Sequence, residues 1–464
     1  MSFTQKHLQH LHLRAGFGLI PSELKNKLQQ DRETSVEKIF KASKSIQPLE
    51  FLEDPTKGKE VGDLRILFML LKSEGKTQDL NCAWIEKMTV TSAQLREKMT
   101  LFWHNHFATS APFAWLMQVQ NNTLRKNALG SFRELLFAVA HDPAMIIYLN
   151  NQQNKKDAPN ENFAREVMEL FTLGEGNIYT EHDIKEAARA FTGWTVNKRG
   201  VFEFEEEEHD SGEKIFLGRT GNFTGDDILN IILEEKQTAY FITTKIYKHF
   251  VNAKVNTAHI EILAEEFYAS DYDITALMQS IFLSDWFYDD ENIGCIIISP
   301  VELIIRYKKL TALTFRNEKE MLKLQRVLGQ VLFFPPNVAG WPGNTHWIDS
   351  TTLPLRLQMP YYILMQGGFN LQPKPEFEDV PETNVIAVKK AKVTSNWKSF
   401  AETYSSKNKT EITEHLIDVL VQSESKRINR TELERFAEAT SADKEEYIIK
   451  SASYIMSLPE FQLI

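Results

Sequence analysis

Apolar residues recur at helical spacing through most of this chain. In TSAQLREKMTLFWHNHFAT, residues 91–109, Leu95, Met99, Phe102, His106 and Phe107 fall on one stripe. The same spacing runs through Leu124, Ala128, Phe132, Leu135, Leu136 and Val139, until Pro143 removes a backbone donor and ends it. EHDIKEAARAFTGW predicts a further helix, with Thr180 as its N-cap and Gly193 as its stop. Helical spacing resumes at Asp226 and continues to about residue 332.

One stretch departs from this rule. VFEFEEEEHDSGEKIFLG alternates Val201, Glu203 and Glu205 with Phe202 and Phe204, turns at a glycine, and closes in KIFLG. That alternation predicts a β-hairpin over residues 201–217. The expected fold is therefore mostly α: a multi-helical globular protein with one small β-hairpin and no parallel sheet.

The pattern also predicts the organisation. Residues 1–370 form a main helical domain that includes the hairpin and the Pro/Gly-rich aromatic loop FFPPNVAGWPGNTHW. Residues 371–395 carry three prolines and no sustained period, which reads as an irregular surface connection. Residues 396–464 return to helical spacing, and their apolar positions need the main domain as a packing partner. LMQSIFLSDWF and YIMSLPEF echo one another, but no fixed short period makes a solenoid.

Composition narrows the function classes. A hydrophobic content of 42% with 25% charged residues is that of a globular chain able to bury a large core. A net charge of −10, without any basic run, argues against nucleic acid as a partner. Cys82 and Cys295 are too few for a disulfide framework and lack metal-site spacing, so a reducing compartment is expected. MSFTQKHLQHLHLRAGFG has no apolar core of signal-peptide length, and no segment reaches spanning length. As written, the chain is expected in the cytoplasm without a membrane span; a misassigned start would hide an export signal.

The polar residues gather most densely in DAPNENFAREVMELFTLGEG, residues 157–176. Asp157 is placed to cap a helix by accepting the amide of Asn160, with Pro159 in the first turn. Phe163, Val167, Leu170 and Phe171 make the core stripe, while Glu161, Arg165 and Glu169 share one ridge at i, i+4 and i+8. Acidic residues at a helix start complement its dipole, and Glu–Arg pairs support any exposed helix. Asn160 and Asn162 beside Glu161 and Glu166 exceed that need, because short amides are poor helix-interior residues. A polar cleft at the helix start would use all four.

The histidines divide similarly. His104 and His106 project about 200° apart on a helix, so both cannot hold one metal there. His106 lies on the apolar stripe, where a histidine is more often a core residue than a ligand, and His104 faces away with Thr100 and Glu97. His209 and Asp210 follow the acidic hairpin, where an Asx turn would account for them, and His141 sits at a helix C-terminus. There is no P-loop, Rossmann loop, nucleophile elbow or zincin helix. The sequence assigns no cofactor and no metal ligand set.

Six ordered motifs carry a resemblance: HLHLRAGFG, LREKMTLFWHNHFATS, LRKNALGSFRELLFAVAHDPAMIIYL, PNENFAREVMELFTLGEGNIYTEHDIKEAARAFTGWT, HDSGEKIFLG and FFPPNVAGWPG. Together they closely resemble the bacterial domain of unknown function 1800 family, over about residues 7–464. The resemblance implies no established activity. It implies a neighbour in the genome, since members are often encoded beside proteins resembling sulfatases and alkaline phosphatases. It also implies export for many members, from which this N-terminus departs. The positions that match the family's motifs are His10, Arg14, His106, Asn160, Glu161, Asn162, Arg165, Glu166, Glu169, Trp194, His209, Asp210 and Trp341, without assigned roles.

Two expectations follow. In the first, the chain is a hydrolase-like or transferase-like enzyme. Glu161, Glu166, His106, His209 and Asp210 are then its catalytic groups, and Asn160, Asn162, Arg165, Glu169, Trp194, His10 and Arg14 serve binding. In the second, it is a non-catalytic helical binding or maturation partner of a sulfatase-like or envelope enzyme. Carboxylates within one metal's reach would favour the first. A salt-bridged polar cluster with a large exposed apolar patch elsewhere would favour the second.

Overall fold

The computed structural model describes residues 3–364, 368–370, 390–423 and 425–464. Twenty-one α-helices and seven short strands lie among them, so the fold is mostly α, as the periodicity requires. The first half opens with α1 (Gln5–Arg14), α2 (Pro21–Lys27), α3 (Arg32–Ser43) and α4 (Asp63–Val90). It continues through α5 (Gln94–His106), α6 (Ala114–Asn127), α7 (Phe132–Ala140), α8 (Pro143–Tyr148), α9 (Asn162–Glu166) and α10 (Glu181–Ala190). Thr180 caps α10 in a reciprocal capping box with Asp183, and Gly193 follows its end with φ +80°. Pro143 ends the α7 pattern by opening α8 at its first position, where no amide donor is missed, and Asp142 caps it.

The β structure pairs differently from the sequence expectation. Strand β1 (Trp194–Val196) pairs antiparallel with β2 (Phe202–Phe204), Thr195 opposite Glu203. Strand β3 (Lys214–Phe216) pairs forward with β4 (Arg219–Gly221). The 201–217 stretch thus supplies one strand to each of two hairpins. The tighter turns win: Asn197 side-chain and backbone bonds close the first, and Leu217–Gly218, both at positive φ, close the second.

After these hairpins come α11 (Gly225–Glu234), α12 (Lys236–Phe250), α13 (Thr257–Ala269), α14 (Ile274–Leu283), α15 (Pro300–Thr311), β5 (Thr314–Phe315), α16 (Glu318–Leu328) and α17 (Thr352–Leu364). Strand β7 (Lys390–Thr394) pairs antiparallel with both β5 and β6 (Gly368–Asn370), so the last residues of the 371–395 stretch are a strand; residues 371–389 lie outside the described residues. The tail forms α18 (Lys398–Glu402), α19 (Lys409–Leu420), α20 (Arg430–Thr440) and α21 (Lys444–Met456).

Two apolar clusters organise these helices. One joins α1, α4, α15, α16 and the tail helices, from Leu8 to Ile464. The other joins α3, α5 and α7–α14, from Leu11 to Tyr288. Helix α5 runs between them and is buried on nearly every face. Arg306 on α15 holds the tail by donating to Leu420 O and Phe461 O, 2.6 and 3.0 Å away. No described helix is long and apolar enough to cross a membrane.

Candidate functional site

The densest polar segment begins later than Asp157 predicts. Asn154 Oδ1, not Asp157, takes the Asn160 amide at 2.8 Å, and the helix starts at Asn162. Asn160 Oδ1 then accepts the Asn162 amide, and Asn162 Nδ2 donates to Leu149 O, both at 3.0 Å. The two asparagines close the turn that leads into α9 and tie it to α8. Asn160 Oδ1 and Asn162 Nδ2 are thereby engaged within the fold.

Arg165 collects the ridge. Its Nη2 donates to Glu161 at 3.2 Å, its Nη1 to Glu169 at 3.2 Å, and both nitrogens clasp Glu181 at 2.8 Å. Glu181 comes from the first turn of α10, so the cluster joins two helices. The Glu181 carboxylate raises the Arg165 pKa further above its ordinary value. Glu166 stands outside the clasp: burial, then the Glu169 charge, raises its carboxyl pKa, with only a smaller opposing effect from Arg165.

Beyond Glu166 the helix widens into a π-turn over Val167–Thr172. Such turns free carbonyls that ordinary helices satisfy internally. Thr172 Oγ1 donates to Val167 O at 2.6 Å, and the Leu173 and Gly174 amides take Met168 O. Lys245 Nζ donates to Leu170 O at 3.0 Å, while His106 Nε2 meets Phe171 O at 3.1 Å. Lys245 also lies 3.3 Å from His106 Nδ1, which fixes the ring as the neutral Nε2–H tautomer accepting from the lysine. Burial, then Lys245, holds the His106 pKa well below its usual value. Burial, then Lys248, lowers the Lys245 pKa to about 8. His106 and Lys245 therefore cap a helix end, with both histidine nitrogens occupied.

The other motif residues also tie distant segments together, with His10 Nδ1, Arg14 Nε and Nη1, and Trp341 Nε1 buried without a hydrogen-bond partner among the described residues. His10 Nε2 meets Phe287 O at 3.2 Å, and Arg14 Nη2 donates to Asn292 O at 2.9 Å and Ile464 O at 2.8 Å, fastening α1 to distant chain. His209 Nδ1 lies 3.0 Å from Thr192 O. Asp210 takes the Arg189 guanidinium, which lowers its carboxyl pKa, and Arg189 also holds Glu186. Trp194 packs between His141, Phe191 and Phe202, and a Cβ on Gly225 would fall 2.3 Å from its ring. The Trp341 amide donates to Asn105 Oδ1 at 2.7 Å. Gly340, at φ +80°, lets the loop approach because a Cβ there would meet Asn105 O at 2.4 Å.

His104 does not face away from the core. It is buried against Trp84, Phe333 and Trp341, and its Nε2 accepts the Phe333 amide at 3.1 Å. Burial lowers its pKa to about 3. The periodicity shows one apolar stripe, whereas α5 packs on two cores.

Among the described residues, no hydrogen bond or ion pair joins His106, the His209–Asp210 turn and the 161–169 carboxylates, and no group of three or more His, Cys, Asp or Glu is placed to hold a metal ion. Three partners escape sequence reasoning: Glu181, Arg189 and Lys245. Glu181 and Arg189 lie on a neighbouring helix face, and nothing local marks Lys245, which lies 139 positions from His106. No curated protein and no solved structure matches this chain. The family described as Protein of unknown function (DUF1800) matches residues 10–463, and the chain belongs to that family.

Proposed function

We propose that this chain works by binding another protein rather than by breaking a bond. Glu161, Glu169 and Asp210 are held by Arg165 and Arg189, and His10, His106 and His209 each meet a backbone carbonyl. The observation that carries the proposal lies elsewhere, on α4. Leu64, Leu67, Phe68 and Leu71, spaced i, i+3, i+4 and i+7, are 76%, 53%, 63% and 74% exposed. A continuous ridge of that kind costs free energy in water unless something covers it. The same helix is anchored by Leu80, Trp84, Ile85 and Met88 in the core, so the ridge is a fixed extension of a rigid element.

A two-turn apolar ridge fits an amphipathic helix of a partner, packed ridge against groove. The sulfatase-like protein implied by the family resemblance is the partner to which we commit. The test is to co-express it from the same genome and measure the mass of the purified complex by light scattering. A one-to-one complex that the double variant Leu67→Glu/Phe68→Glu weakens at least tenfold, with its unfolding midpoint preserved, is the expected outcome. A complex indifferent to both substitutions, or no complex with that protein, would overturn the proposal.

A further inference from the structure

Lys245 of α12 is a cation set among neutral partners. Its side chain is half-buried, and its polar contacts are Leu170 O at 3.0 Å and His106 Nδ1 at 3.3 Å. The Phe241 ring, one turn earlier on the same helix, has its centroid 4.8 Å from Nζ. Among the described residues none of these partners carries a negative charge. Glu169, beside Leu170 on the π-turn, is held by Arg165, and Lys248 adds a second positive charge one turn further along α12. Burial keeps His106 neutral.

These surroundings act on the amine. Taking an ammonium out of water without a counter-charge favours its neutral form. With its pKa lowered to about 8 by burial, then Lys248, about one chain in ten carries the free amine at pH 7, against about one in two thousand for an ordinary lysine. Desolvation beside a second cation is a general way to make a lysine nucleophilic. The two hydrogen bonds also aim it. A neutral amine has two N–H groups, which match Leu170 O and His106 Nδ1, and its lone pair is left unengaged. Lys98 differs on both counts, because it is paired with Glu302 and its side chain is only 3% exposed.

We infer that Lys245 is a covalent acylation site, which takes a small acyl group from an acyl phosphate. The amine lone pair attacks the carbonyl carbon and the N–C bond forms. The bond from that carbon to the phosphate oxygen breaks, and the proton lost by nitrogen leaves with the phosphate. Acylation suits the site better than alkylation, because an amide is neutral whereas an alkylated amine still carries charge into a setting that disfavours it. The exposed Lys248 favours an anionic donor. An amide keeps a single N–H, so the product gives up either the Leu170 or the His106 contact. Acylation therefore loosens the joint between α12 and the π-turn. The site shares no residue with the exposed ridge of α4 and is measured on the isolated chain, so its failure leaves the docking proposal untouched.

The test is to incubate the full chain with acetyl phosphate and to follow each acetyl-lysine by peptide mass spectrometry. At pH 7 Lys245 should be acetylated at least tenfold faster than the exposed Lys248, half-burial taking back part of its gain in free amine. Its rate should level off above about pH 8, where an ordinary lysine, near about 10.4, keeps gaining. Phe241→Glu places a carboxylate at i, i+4 to the lysine and should slow its acetylation about tenfold. Phe241→Gln, which removes the ring without adding a charge, should slow it far less. Unfolding midpoints report whether both variants remain folded, and the wild-type comparison of Lys245 with Lys248 stands without them. Hydrogen exchange over residues 167–174 should quicken in the acetylated chain. Acetylation of Lys245 no faster than that of Lys248, equal slowing by two folded Phe241 variants, or a neutral acetyl thioester that outpaces acetyl phosphate at Lys245 would overturn the inference.

Discussion

Two arginines hold carboxylates, Arg125 one and Arg165 three, and the surroundings make them different objects. Arg125 is fully buried on α6 and clasps Glu97 of α5 at 2.6 and 3.0 Å; Trp84 Nε1 adds a third bond to the same carboxylate at 2.8 Å. Arg165 lies near the surface, its side chain 31% exposed, and divides itself among Glu161, Glu169 and Glu181. Within the core, each partner satisfies a charge that has no water to fall back on. At the surface, water and salt already stabilise every member. The number of partners therefore misleads, and burial decides what each cluster is worth.

The largest expected effect follows directly. Glu97→Gln keeps the shape but strands the Arg125 charge between α5 and α6. Removing one partner of a buried pair typically costs about 3–5 kcal/mol. Denaturant unfolding should show a loss of that order, with the slope of the transition unchanged. A loss below about 1 kcal/mol would mean that Arg125 finds water or another acceptor, and the contrast with Arg165 would collapse.

Arg165→Ala tests the other side. It removes three ion pairs at once and leaves Glu161, Glu169 and Glu181 without the guanidinium they share. Exposed pairs contribute only about 0.2–1 kcal/mol each and share one guanidinium here, so the total loss should be about 1 kcal/mol and shrink in high salt. A loss as large as that of Glu97→Gln would show that the cluster acts as a buried network.

The same contrast explains what the sequence made legible. Glu161, Arg165 and Glu169 stand out because helical spacing places them on one face. Glu97 and Arg125 are 28 positions apart on different helices, and no local pattern joins them. Helix existence and caps such as Thr180 rest on short-range physics and can be read directly. The hairpin partners could not, because alternation in Phe202–Phe204 does not say which neighbouring turn closes first. The cleft expected at residues 160–166 arises from counting polar groups against capping alone. Asn154, Leu149 O and Glu181 take up much of the excess, and all three lie outside the helix itself.

Glu166 is the member of the motif for which this accounting leaves a sign to measure. It is half-buried, and burial, then Glu169, raises its carboxyl pKa above the ordinary value. An acid whose folded pKa exceeds its unfolded one binds its proton more readily in the native state. Stability then falls as pH rises through the window between the two values, and the full cost remains above it. Glu166→Gln removes that cost. The variant should unfold at a slightly higher midpoint than wild type at pH 7, by no more than about 0.5 kcal/mol, the usual range for changes away from a network. Below the unfolded carboxyl value, near pH 4, the two midpoints should converge. A carboxylate that the fold needs charged would give the opposite result, with the variant less stable at pH 7. That outcome would place Glu166 with Glu97 rather than with the Arg165 cluster.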